Sequence, residues 1–138
     1  MKPVLLDTGV IVALLDPSDS FHERCAHALS GLGAALVTCE AVIVESCYLL
    51  RHVAGAAESI LRSVATREFL LPITLVNSAG SVERILQKYR DREVDLADAW
   101  LIHLANEFGT GEILTLDGDF QIYRWGRNNS FHLLVPLD

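Results

Sequence analysis

Two short aliphatic runs that each end on an acid constrain this chain more than anything else in it. Val4-Leu5-Leu6 runs straight into Asp7-Thr8-Gly9, and Ile113 to Leu116 runs into Asp117-Gly118-Asp119. Brief apolar runs closed by turn residues read as buried strands, here Lys2 to Leu6 and Ile113 to Leu116. An acid at the end of such a strand is drawn toward the core, where a lone carboxylate is costly. The rest of the chain has to supply its partners.

Around these runs the hydrophobic period changes to that of a helix. Gly9 to Leu15 reads as a short helix stopped by Asp16-Pro17. Phe21 to Leu32 carries Cys25, Ala28, Leu29 and Leu32 at helical spacing behind Ser20 as a cap. Further helices are expected from about Glu40 to Val53, from Ala56 to Arg67, and from Ser78, a capping residue, to Tyr89. Asp95 to Phe108 is the clearest helix, capped by Asp95 and closed by Gly109. Short strands are expected at Ala35 to Val37, Leu70 to Val76 and Phe131 to Pro136. Strands alternating with helices predict an α/β fold, a parallel sheet covered on both faces and joined by right-handed crossovers. Sites in such sheets form beyond the carboxyl ends of strands, where Asp7 and Asp117 both fall.

With 138 residues, 51% of them hydrophobic, the chain has the size of one domain over 1–138 and is too apolar for disorder. No apolar run approaches the length of a membrane span, and the start lacks the layout of a secretory signal. Cys25, Cys39 and Cys47 form no CxxC pair and no zinc-like spacing, which suits buried thiols in a reducing compartment. A soluble cytoplasmic protein with no membrane partner is therefore expected. The histidines show no HExxH or paired-ligand spacing and stand outside any metal set; for His103 an ordinary core or surface role is expected.

Two further acids repeat the pattern of Asp7 and Asp117, standing where an apolar residue is expected. Glu45 interrupts "AVIVESCYLL" on a stripe with Val42, Leu49 and His52, which predicts an inward-facing side chain. Asp98 lies in the first turn of its helix on the stripe of Leu101, Ile102 and Ala105. Each acid also has a plainer reading. Asp7, Asp117 and Asp119 serve as turn residues, Glu45 pairs with an arginine such as Arg51, and Asp98 answers the helix dipole. Taken together, converging carboxylates repel one another, and divalent cations relieve that repulsion. Hard oxygen ligands suit Mg²⁺ or Mn²⁺, one or two ions, and paired ions can activate water and stabilise a leaving oxygen in phosphodiester cleavage.

The fragments "LLDTGVIVALLD", "AVIVESCYLL", "DLADAWLIHLANEFGTGEILTLD" and "TLDGDF" extend in order over residues 4–120. In that order the chain resembles a PIN domain, and most resembles toxin ribonucleases of VapC type. The resemblance implies a Rossmann-like three-layer α/β/α sandwich around a central parallel sheet. It implies that Asp7, Glu45, Asp98 and Asp117 bind Mg²⁺ or Mn²⁺ and carry catalysis, with Asp119 acting through water. Thr8 and Thr115 would orient the carboxylates from behind. The activity implied is endoribonucleolytic: a metal-activated water attacks phosphorus in line, leaving a 5′-phosphate and a 3′-hydroxyl. A cognate antitoxin covering the site, and a homodimer, are further implications.

The formal net charge of −7 sits awkwardly with an RNA substrate, because phosphate affinity is mostly cationic contact. Basic residues cluster at Arg84, Lys88, Arg90 and Arg92 and again at Arg124 and Arg127. For Arg84 and Lys88 a solvated helix face is the expectation. "YRWGRNN" places Arg124 and Arg127 beside aromatic and amide groups able to grip and stack single-stranded RNA. A phosphatase of the haloacid dehalogenase type needs a second acid where Gly9 stands, and a receiver domain needs an acid pair and a late lysine that this chain lacks. The remaining alternative is a catalytically idle PIN scaffold that binds RNA or protein.

Overall fold

The run before Asp7 forms the middle strand of a parallel sheet. The computed structural model describes residues 2–138. Its first strand, β1 (Val4–Leu6), pairs on one side with β2 (Leu36–Val37) and on the other with β4 (Glu112–Leu114). β3 (Phe69–Leu70) extends the sheet beyond β2, and β7 (His132–Leu133) extends it beyond β4. The order is β3-β2-β1-β4-β7, with every pairing parallel. All three residues of β1 are buried, as a strand covered on both faces requires.

The chain steps outward from β1 to β3, then returns to the far side of β1 for β4. That reversal makes the gap between the carboxyl ends of β1 and β4 the switch point at which doubly wound sheets bind ligands. Helices α1 (Thr8–Leu15), α2 (His22–Ser30), α3 (Glu40–Leu49) and α4 (Ala56–Ala65) fill the outward connections; α5 (Leu75–Lys88) and α6 (Leu96–Phe108) fill the return. The right-handed rule assigns these two sets to opposite faces of the sheet, giving the sandwich expected. Every residue of α6 from Ala97 to Ala105 is buried, so this helix is interior rather than amphipathic. Trp100, Leu101, Ile102 and Leu104 make it the main strut of the core, each burial contributing about 1.5–3 kcal/mol.

The structure differs from expectation at several points. The strand expected over Leu70 to Val76 ends at Leu70, because Pro72 has no N–H to continue a ladder. Helix α5 therefore begins at Leu75, and Ser78 is no cap but a buried helical residue whose hydroxyl donates to the Thr74 carbonyl at 2.8 Å. Ser20 does not cap α2; the Asp19 carboxylate accepts from Phe21 N at 2.8 Å in a local turn instead. Helix α3 stops at Leu49, short of Val53. Finally, "YRWGRNN" belongs to an antiparallel hairpin of β5 (Arg124–Trp125) and β6 (Asn129–Ser130), reversed through Gly126 and Asn128 at positive φ. Among the described residues no helix is long and apolar enough to cross a membrane.

Candidate active site

Asp7 takes its place from β1 and its orientation from its neighbours. Its N–H donates to the Leu114 carbonyl at 3.0 Å, fastening the end of β1 to β4. Its Oδ1 accepts from Thr8 N at 2.8 Å, which makes it the cap of α1. Its Oδ2 accepts from the Thr115 hydroxyl at 2.7 Å. That hydroxyl in turn accepts from Asp117 N at 3.0 Å, so one threonine ties the acids after β1 and β4 together. Asp117 caps the short 3₁₀ turn Gly118–Gln121 by accepting from Asp119 N at 2.9 Å. Asp98 enters from the first turn of α6, its N–H held by the Asp95 cap at 2.9 Å.

The electrostatics show that these acids share one field. Asp7 is 7% exposed, and burial pushes its pKa up to about 6. Hydrogen bonds from Thr115 and Thr8 work against that rise, while the charges of Asp117 and Asp95 add to it. Asp98, 8% exposed, is pushed to about 8, first by burial and then by Asp95, Asp7 and Asp117. Asp117 is raised by burial and by Asp119 and Asp95. None of these carboxylates has a cationic partner: the ion pairs among the described residues are His52–Asp16 and His132–Glu112. Uncompensated negative charge, presented entirely through hard oxygen donors, fits Mg²⁺ or Mn²⁺. Among the described residues no three acid, His or Cys side chains already stand in a geometry that closes on one ion.

The sequence candidates fare differently. Asp7, Asp98 and Asp117 come together, with Thr115 between two of them. Glu45 does not face inward as its stripe suggests; it is exposed, because Val42, Ile43 and Ser46 form the buried side of α3. It still reaches the site's edge, accepting from the Thr8 hydroxyl at 2.7 Å and sharing a small hollow with Asp95. Thr8 thus joins two acids, Asp7 through its N–H and Glu45 through its hydroxyl. Asp119 is exposed at the rim. The Arg124 guanidinium is engaged, donating to the carbonyls of Gln121, Ile122 and Tyr123 at 3.0, 3.0 and 2.9 Å, whereas Arg127 is exposed at the hairpin tip.

Two members of this cluster escaped the sequence reading. Asp95 is more than a cap, since its charge raises Asp7, Asp98 and Asp117 alike. The signal was its place three residues before Asp98, on the same side of the helix start. Tyr123 is fully buried, its hydroxyl has no partner among the described residues, and its pKa is raised by burial and by Asp98, Asp119, Asp117 and Asp95. Nothing in the spacing announced it. Beside the acids runs an apolar groove of about 450 Å³ lined by Val44, Leu75, Leu96 and Trp100, with Glu40 and Glu45 among its lining.

Comparison with known proteins adds independent weight. The PIN domain family model matches residues 4–126. Ribonuclease VapC26 of Mycobacterium tuberculosis (strain ATCC 25618 / H37Rv) is 29% identical over 116 residues, covering 83% of this chain and 86% of that protein. The crystal structure of Mycobacterium tuberculosis VapC20, described as a sarcin–ricin loop cleaving toxin, superposes with a TM-score of 0.78 at 19% identity. It covers 86% of this chain and 93% of that one, a likeness of fold.

Proposed function

The chain belongs to the PIN domain family, and from that membership we propose that it is a metal-dependent endoribonuclease, the toxin of a toxin–antitoxin pair, acting as one domain in the cytoplasm. The observation that carries this reading is the convergence of Asp7, Asp98 and Asp117, buried or half-buried, mutually repelling and without a cationic partner among the described residues. Ribonuclease activity in VapC26, similar over most of the length, supports it.

Asp7, Asp98 and Asp117 would hold Mg²⁺ or Mn²⁺, with Glu45 completing the set from the rim and Asp119 acting through water. A divalent cation held there supplies charge neutralisation for a phosphodiester and acidity for a water molecule. The chain's own part is positioning. Thr115 fixes one Asp7 oxygen and the backbone of Asp117; Thr8 fixes the other Asp7 oxygen and Glu45. Leu6, Leu114 and Ala99, chain neighbours of Asp7, Thr115 and Asp98, are fully buried, so the acids rise from dry core. Arg127 is the better placed of the two hairpin arginines to meet RNA phosphates. The products are a 5′-phosphate and a 3′-hydroxyl. The antitoxin would lay an apolar segment in the groove of Val44, Leu75, Leu96 and Trp100 and direct a basic side chain toward the acids. Association with a second copy belongs to the same reading.

Metal titration with a single-stranded RNA tests the proposal. Cleavage that vanishes on chelation and returns with Mn²⁺ is the expected result. A binding scaffold without turnover is the second reading, favoured by the lack of a closed three-acid geometry among the described residues. Binding without cleavage across several metals would establish that reading instead.

A further inference from the structure

The basic residues of α5 do not lie on a featureless helix face. Arg84 and Lys88 line a crevice of about 290 Å³ along the seam between α5 and α6, together with Ser81, His103, Asn106 and Glu107. Neither cation takes part in an ion pair among the described residues; Arg84 reaches only the Ser81 hydroxyl, at 3.2 Å, and Lys88 lies over the Tyr89 ring. His103 is only 5% exposed, yet its Nε2 has no hydrogen-bond partner among the described residues. Buried polar atoms in a folded protein normally have partners, so one left over beside a polar crevice points to a ligand or water.

The crevice is joined to the site on two sides. Along α6, His103 lies about 7.5 Å beyond Asp98 and Asn106 about 12 Å beyond it, at 1.5 Å per residue. Across the hairpin, the Asn106 side chain accepts from Gly126 N at 2.6 Å, which brings the tip bearing Arg127 to the crevice edge. From there β5 leads back to Tyr123, whose hydroxyl lies in the field of Asp98 and Asp117.

We propose that the α5–α6 crevice is a seat for a phosphate of the RNA strand a few nucleotides from the bond that is cut, gripped by Arg84 and Lys88. The inference rests on the ribonuclease reading above and explains how a chain of net charge −7 holds a polyanion: the cations are set apart from the acids, along the strand's path. Glu107 is the one acid of the lining and opposes the phosphate. Its neutralisation should therefore tighten binding.

Both Arg84 and Lys88 are exposed, so the double variant Arg84→Gln/Lys88→Gln keeps the fold. The measurement is fluorescence anisotropy with a single-stranded RNA of about 12 nucleotides, in chelator and across a salt series. The expected result is about tenfold weaker binding and a log Kd–log salt slope shallower by about 0.7, the share of one phosphate contact. Glu107→Gln should bind more tightly than wild type, and metal-supported cleavage of a dinucleotide, too short to span both places, should be unchanged in the double variant. Unaltered affinity and slope in the double variant would overturn the seat. So would loss of inorganic phosphate binding with RNA affinity intact, which marks a free-anion site. A wild type that binds RNA with the expected slope but cleaves nothing would defeat the ribonuclease reading and leave the seat standing.

Discussion

Thr115 makes two hydrogen bonds that no apolar residue of its shape can replace, donating to Asp7 and accepting from the Asp117 backbone. Groups that orient metal-binding side chains are typically worth 10–100-fold in affinity or activity. Thr115→Val should accordingly weaken Mn²⁺ binding and cleavage by about that factor with the sheet intact, as titration calorimetry and an RNA cleavage assay would report; a variant equal to wild type in both would remove Thr115 from the site. Asp98→Asn has effects of opposite sign. Cleavage should fall by at least about 100-fold, while the metal-free protein should melt at a higher temperature at pH 8, because a charge penalised by burial and repelled by Asp95, Asp7 and Asp117 is gone. At this scale Asp7, Asp98 and Asp117 were legible in the sequence because each stands where an apolar residue is expected. The inward direction given to Glu45 failed because its stripe joined the buried Val42 to Leu49 and His52, both exposed, whereas the buried side of α3 runs through Val42, Ile43 and Ser46.

Helices with a cap and a glycine stop, such as α6, could be read to their ends, since both signals are local. The hairpin of β5 and β6 could not. Its strands are held by contacts made from outside the segment: the Arg124 N–H donates to the Tyr89 hydroxyl at 3.0 Å, and the Trp125 ring covers Gly111. A Cβ at Gly111 would collide with that indole. Gly111→Ala should therefore cost about 1–3 kcal/mol, seen as a lowered denaturant midpoint; no change would mean that the ring can move aside. The start of α5 was misplaced for a related reason. Ser78 looks like a cap in sequence, but Pro72 ends the strand early and frees Leu75 to Asn77 to join the helix.

Across the whole molecule, the alternation of strands and helices was enough to give the parallel sheet, and the order in which the strands lie explains why acids so far apart in sequence meet. What composition could not reveal is the arrangement of charge, because net charge says nothing of where acids and cations are segregated. That arrangement makes stability depend on pH. The folded pKa values of Asp7, about 6, and Asp98, about 8, lie above the ordinary 3.8, so the metal-free fold favours their neutral forms. This contribution is complete below about pH 3.8 and is lost as pH rises through about 6 and then about 8. In chelator the melting temperature should fall by several degrees between about pH 5 and about pH 8.5. Mn²⁺ should oppose that fall, since it binds the deprotonated acids. A chelated protein equally stable at both ends would contradict the shared field.

The central claim, that these acids exist to hold a divalent cation, is tested most directly by calorimetric titration of Mn²⁺ into the metal-free protein near pH 7, in two buffers of different ionisation enthalpy. Saturable binding with proton release from the raised carboxyls, abolished in Asp98→Asn, is the result expected. No binding, or binding of equal strength and equal proton release in Asp98→Asn, would contradict it.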